Sequence, residues 1–324
     1  MKRLYMLFGM AFLFSLFLLA VNAWGAQYIT FHSDRTGQTD DIYMIDTNGK
    51  NLRNLGSGCC ATWAPDGRSF AFVSNLDENN EIYIKTFNVA QAHRLTNHPE
   101  LDYDPMWSPD GNWIAFVSMR TGAFDIYKID INGENLQRLT NQGHNDNPAW
   151  SPDGQSIAFN SIRNNRLGLY VMDADGKNPR EILNPLHRIG PTPRSPTWSP
   201  DGKQFACSVT NEGDGIYIMD TDGQNARRVS PPGTWSYNPV WSPDGKWIAY
   251  EGYEAENVNP HGIPAVRHIF IVSVEEGEPR QITQHPGRNY SPAWVPGSFF
   301  SVSPTVDTQT TLWGRLKQAE RMAQ

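Results

Sequence analysis

Apolar and polar residues alternate in short runs along most of this chain, and the runs recur. Ile114-Ala115-Phe116-Val117-Ser118 is one, and Asp125-Ile126-Tyr127-Lys128-Ile129-Asp130 is the next. Such runs are rich in Ile, Val, Phe and Tyr and are bounded by Gly, Pro, Asn or Asp, the pattern of β-strands. The punctuation between them repeats too. Trp-Ser-Pro-Asp-Gly stands at 107–111, 150–154, 198–202 and 241–245; Trp-Ala-Pro-Asp-Gly stands at 63–67, and a worn Trp-Val-Pro-Gly at 294–297. Successive tryptophans are 44, 43, 48, 43 and 53 residues apart.

Each repeat reads as four strands. The Trp ends the first. Ser-Pro-Asp-Gly then suits a type I turn, with Pro presetting φ at the second corner and Gly free to take positive φ. A second strand, a variable loop and a third strand follow. A turn of the form Asp-x-(Asp/Asn)-Gly-x-Asn leads to the fourth, as at 137–140. A period near 43 residues with four strands matches one propeller blade. One blade alone exposes both faces and its edges; a closed ring buries them. Before Trp63 there are three more strands, at 28–33, 42–46 and 52–55, and one first strand follows the last full repeat at 291–294. Together these make a sixth blade built from both chain ends. The expected fold is all-β, a six-bladed β-propeller.

The start reads as a secretory signal peptide, residues 1–23. Lys2 and Arg3 precede an apolar run at 4–21, and Val21-Asn22-Ala23 is an acceptable cleavage site. The alternative is an uncleaved anchor, because the run reaches spanning length. Cleavage leaves no stable membrane span and predicts a periplasmic or secreted protein. The propeller then occupies 24–298. A tail at 299–324 follows, with a short helix expected over 310–322 from Leu312, Leu316 and Ala319.

A net charge of −7 and a pI near 5.6 leave no footprint for nucleic acid. Three cysteines make a poor disulfide framework. Cys207 replaces the Phe116 and Phe159 of other repeats and is expected in the core. Cys59 and Cys60 are adjacent, either a strained vicinal disulfide or two packed thiols.

Tandem W-S-P-D-G with the second signature at 173–178 and 220–225 resembles the WD40-like repeats of the TolB propeller family. The likeness covers residues 28–297 and implies the same ring. It departs in one respect. TolB carries an α/β domain ahead of its propeller, and here about four residues separate the expected cleavage site from the first strand. The resemblance implies binding of an envelope or extracellular protein, with a peptidoglycan-associated lipoprotein as one such partner, or of a glycan.

Chain geometry sorts the loops. The Ser-Pro-Asp-Gly and Asp-x-(Asp/Asn)-Gly turns share one face and repeat themselves, as scaffold does. The second-to-third loops and the connections between blades share the other and vary, as binding surfaces do. Segments 184–196 and 251–267 carry His187, Arg188, Arg194, Tyr253, Glu254, Glu256, Asn257 and His261. Connections 230–239 and 284–292 add Trp235, Tyr237, Arg288 and Tyr290. Aromatics and Arg dominate binding energy at interfaces.

No cofactor is expected apart from Ca²⁺, for which Asp102, Asp104 and Asp146 are candidate oxygen ligands near the ring mouth. His98 and His285 share a His-Pro context, which reads as repeat grammar. Neither G-x-S-x-G nor H-E-x-x-H occurs. The expectation is a binding module, not an enzyme; the alternative is a divalent-metal-dependent propeller enzyme such as a polysaccharide lyase.

Overall fold

The computed structural model describes residues 27–37, 40–76, 79–182, 192–210, 215–254, 266–275 and 277–297. The expected signal peptide and C-terminal tail lie outside the described residues.

Among the described residues, six four-stranded antiparallel sheets form the six blades of a β-propeller. Blade 1 is Cys59–Trp63, Ser69–Ser74, Glu81–Thr86 and His93–Arg94. Blade 2 is Asp102–Trp107, Trp113–Ser118, Asp125–Asp130 and Gln137–Arg138. Blades 3, 4 and 5 begin with His144–Trp150, Thr192–Trp198 and Thr234–Trp241. Blade 6 is the composite: Asn289–Trp294 pairs antiparallel with Tyr28–Ser33, which continues to Asp41–Asp46 and Arg53–Ser57. Ile29 stands opposite Trp294 and Ser33 opposite Asn289. The fourth strands of blades 1 to 5 are two residues long, shorter than the sequence pattern suggested.

The repeated phrases are hydrogen-bond programmes. In Ser-Pro-Asp-Gly the Ser hydroxyl donates to the Asp carboxylate, at 2.5 Å for Ser108–Asp110 and 2.6 Å for Ser151–Asp153. The same hydroxyl accepts the N–H that opens the second strand, at 2.9 Å for Trp113 and Ser156. In Asp-x-(Asp/Asn)-Gly-x-Asn the closing Asn donates Nδ2 to the first Asp, at 2.7 Å in Asn51–Asp46, Asn135–Asp130, Asn178–Asp173 and Asn225–Asp220. Each of those asparagines has φ between 52° and 58°, a conformation Asn tolerates. Gly176 of that turn, φ +86°, could not be replaced freely: a Cβ would sit 2.7 Å from the Leu139 carbonyl oxygen of the previous blade.

Arg-Leu-Thr closes the programme in blades 1 and 2. Arg138 and Thr140 both reach Asp125, at 2.7 and 2.9 Å, and Thr140 Oγ1 accepts the Ile126 N–H at 2.9 Å. Arg94, Thr96 and Glu81 do the same in blade 1.

The apolar core is divided between blades. Val73 and Ile82 of blade 1 pack on Ile114 and Phe116 of blade 2, and Ile29 and Phe31 of blade 6 pack on Ala249 and Ile271 of blade 5. Cys207 is fully buried between blades 3 and 4, as its repeat position predicts, and burial pushes its thiol up to about 12. Cys59, Cys60 and Cys207 are free thiols.

Candidate functional site

First strands line the central channel, and each carries a β-bulge. At each bulge a non-glycine residue takes a left-handed φ. These are Cys60 (56°), Asp104 (52°), Asn147 (50°), Ser195 (49°), Asn238 (49°) and Ser291 (46°). Every one stands three residues before a repeat Trp, and five of the six precede a proline. One extra residue per first strand turns a side chain toward the axis. The result is a polar ring around a cavity of about 340 Å³, walled by the prolines, Met106, Val240, Trp63 and Trp294.

The ring residues bond to one another. Asn147 Nδ2 reaches Asp104 at 3.3 Å; the Ser195 hydroxyl lies 3.3 Å from Asn147 Oδ1 and 2.9 Å from Asn238 Oδ1. The bulge frees the backbone N–H of its left-handed residue, and a side chain from the preceding blade accepts it in three places. Asn160 Oδ1 takes Ser195 N–H at 2.8 Å, Glu251 Oε2 takes Ser291 N–H at 2.9 Å, and His32 Nδ1 takes Cys60 N–H at 3.4 Å. Burial lowers the His32 pKa to about 4 against a smaller opposing pull from Asp34, so the ring is neutral and able to accept.

Of the acidic candidates, Asp104 alone lines the cavity. Burial and the nearby Asp146 push its carboxyl up to about 6. Asp102 is buried and bonded to the Arg120 guanidinium at 2.8 Å, so it is spent inside blade 2. Asp146 is half-buried, raised by burial and drawn down by His144 and Arg194. Among the described residues no group of three His, Cys, Asp or Glu is placed to hold a metal ion. His98 and His285 do behave alike: each accepts an N–H two residues on, Glu100 at 3.1 Å and Gly287 at 2.9 Å.

The expected binding residues divide. His187, Arg188, Glu256, Asn257 and His261 lie outside the described residues, as does the side chain of Glu254. Arg194 is exposed where blade 4 begins. Trp235, Tyr237, Tyr253 and Tyr290 gather at one sector of the rim, on strands rather than in loops, because the strands of blade 5 and the first strand of blade 6 run further than the pattern indicated. Trp235 stacks on Tyr253 at 6.0 Å and 12°, and Tyr237 stacks on Tyr253 at 6.3 Å. Trp235 is 37% exposed, whereas Tyr253 is 8% exposed and acts as the floor of the stack. Arg267, which the sequence reading did not single out, sits over Tyr237, Tyr253 and Tyr290 at 5.6, 5.4 and 4.9 Å and pairs with Glu251 at 2.9 Å. Tyr290 also stacks on His32 at 5.1 Å.

Arg288 has another employment. Its Nε and its backbone N–H both donate to Asp34, at 2.7 and 2.8 Å, tying the two chain ends together. Burial raises the Asp34 carboxyl, but these Arg288 bonds outweigh it and hold it below its usual range.

The family model described as TolB beta propeller domain matches residues 54–146 and 140–263. No curated protein sequence matches the chain significantly. Among solved structures, TolB from Acinetobacter baumannii is 22% identical with a TM-score of 0.72, covering 83% of this chain and 67% of its own. A putative TolB from Agrobacterium tumefaciens is 18% identical with a TM-score of 0.63, covering 84% of this chain and 99% of its own. Hydrazine synthase from Kuenenia stuttgartiensis shares the ring at 14% identity and a TM-score of 0.67, covering 85% of this chain and 47% of its own. At these identities the structural likeness is one of fold.

Proposed function

The chain belongs to the TolB β-propeller domain family, and on that footing we propose that it is an exported binding scaffold whose channel rim holds a protein of the cell envelope. The observation that carries this reading is the rim sector of blades 5 and 6. There an exposed Trp235 is stacked on a fixed floor, and the Arg267 guanidinium is held among three tyrosines. Rigid aromatics and Arg give large contact area at little entropic cost, the composition of interface hot spots. Below the rim, the polar ring offers hydrogen bonds to an inserted side chain or main-chain group. Among the described cavity-lining residues the titratable ones are Cys60 and Asp104, which suits recognition better than acid–base chemistry.

A peptidoglycan-associated lipoprotein is the partner to test first. Immobilised residues 24–324 are expected to retain an envelope protein from a detergent extract, and Trp235→Ala is expected to release it. Retention of soluble glycan alone would move the reading to carbohydrate recognition; equal retention by wild type and W235A would remove the rim from it. Export rests on the charged start and the apolar run before Ala23. Amino-terminal sequencing of the exported protein is expected to begin at Trp24, and recovery of the full-length chain from the membrane fraction alone would show an anchor.

A further inference from the structure

We propose that Cys59 and Cys60 are a reversible dithiol–disulfide switch set into the channel wall. The two sulfurs are 3.4 Å apart, with the Cys60 thiol donating to Cys59. Cys60 occupies the ring position that other blades fill with Asp, Asn or Ser. It is also the one ring residue followed by Ala61 rather than proline. Those two departures from the repeat fall side by side and act together. Proline fixes its own φ and restricts the residue before it, so five bulges are locked on their C-terminal side. The sixth is not. In the ladder Cys59 stands opposite Val73 and Thr62 opposite Ala71, leaving Cys60 and Ala61 as the bulged residues. Their backbone can readjust without breaking the pairing on either side.

Adjacent Cα atoms are held about 3.8 Å apart by a trans peptide, below the roughly 4.4–6.8 Å that disulfides prefer. A bridge between neighbours is therefore strained, and strained bridges are the easily reduced, regulatory kind. The surroundings also divide the labour between the two sulfurs. The hydrogen bond to Cys59, burial, and the charges of Cys59 and Asp104 hold the Cys60 thiol well above its usual range. In the hydrogen bond between them Cys60 donates and Cys59 accepts, so the Cys59 sulfur is the one placed to attack first. The oxidant is a low-molecular-weight disulfide. Cys59 thiolate attacks it, forming a mixed disulfide and expelling one thiolate. Cys60 then loses its proton and attacks the Cys59 sulfur, and the second thiol leaves. One small disulfide is reduced to two thiols while the two protein thiols become one bridge. Closing the bridge draws the Cys60 sulfur toward Cys59 and takes the thiol out of the polar ring beside Asp104.

The full chain, equilibrated in glutathione buffers of graded ratio, quenched in acid, alkylated and digested, tests this by mass spectrometry. The peptide holding both residues is expected to lose two hydrogens reversibly as the buffer turns oxidising, while Cys207 stays reduced. In Cys60→Ser the reaction is expected to stop with glutathione on Cys59, and Cys59→Ser is expected to slow glutathione capture at least tenfold. Two alkylatable thiols at every ratio, or stable glutathione adducts on the wild-type chain, would overturn the proposal. Wild type alone decides these outcomes, so a poorly folding variant does not protect it.

Discussion

Glu251 accepts the backbone N–H of Ser291 at 2.9 Å, and so a side chain of blade 5 secures the last strand of the ring. Its other oxygen holds Arg267 at 2.9 Å. Burial pushes the Glu251 carboxyl up against the pull of these partners. One buried carboxylate thereby links ring closure to the aromatic rim.

Glu251→Ala leaves both the Ser291 N–H and the Arg267 guanidinium without this partner. Breaking a buried pair from one side costs about 3–5 kcal/mol. Glu251→Gln keeps an acceptor for Ser291 and is expected to lose less than half of that. Urea denaturation of the two variants checks the ordering, and equal losses would mean that the Ser291 bond contributes nothing.

Closure itself rests on the strand more than on its clasp. The Arg288–Asp34 pair is partly exposed, so Arg288→Ala is expected to cost about 0.5–1 kcal/mol. Trp294→Ala removes a side chain packed on Ile29 and Ile271 and is expected to cost about 3–5 kcal/mol. Ending the chain before Asn289 opens the edge of Tyr28–Ser33 and is expected to cause aggregation, read by light scattering. A truncated chain that stayed monomeric with unchanged Tm would refute closure by the last strand.

The six repeat tryptophans are not equivalent. Trp150, Trp198 and Trp294 donate Nε1 to carbonyls of the preceding blade, at 3.2, 3.1 and 3.0 Å, and Trp63 donates to Thr30 Oγ1 at 3.1 Å. Trp107 and Trp241 have no indole partner among the described residues. Trp→Phe at 150 or 198 is expected to cost about 1 kcal/mol more than at 107 or 241. Chemical denaturation of the four variants measures the difference.

His32 and Asp104 pull stability in opposite directions with pH. His32 has its pKa lowered from 6.5 to about 4, so the unfolded chain takes the proton first. Its contribution is complete above about pH 6.5 and is lost as pH falls toward 4, on the order of 3 kcal/mol in all. Asp104 has its pKa raised from 3.8 to about 6. The folded state takes that proton first, so its penalty at neutral pH is relieved as pH falls through the same window. His32 faces Asp34, Cys60 and Tyr290; Asp104 faces Asp146, Asn147 and Cys60. Asp104→Asn is expected to steepen the loss of stability between pH 6.5 and 4, and His32→Gln to flatten or reverse it. Identical pH profiles for both variants and wild type would exclude this opposition.

At the rim, Trp235→Ala is expected to weaken partner binding by at least about 2 kcal/mol, roughly thirtyfold, chiefly through faster dissociation. Tm should hardly move, since Trp235 is partly exposed. Lys177→Ala, in an exposed turn of the opposite face, is expected to change neither. Surface plasmon resonance with the captured partner measures all three proteins, and loss of binding by K177A alone would place function on the wrong face.

What the sequence determined by itself was everything that local chemistry controls. Ser108 with Asp110, Asn178 with Asp173 and Thr140 with Asp125 act within a few to about fifteen residues, so their repetition showed turns, strands and blade count directly. Closure by Asn289–Trp294 followed from counting strands, because an unpaired edge is costly. Tertiary structure alone decided the site. The ring from Cys60 to Ser291 is assembled from six blades, and its bonds join residues about forty apart, such as Asn147 and Asp104. A signal was present in the small polar residue three before each Trp, but nothing local says that a bulge turns it to the axis. Tyr253 and Arg288 sat in variable segments and read as free, yet one is the floor of a stack and the other is held by Asp34. Tyr253 meets Trp235 across a hairpin and Arg288 meets Asp34 from the other end of the ring, and which side chains are consumed by such partners is settled only when the strands pair and the ring closes.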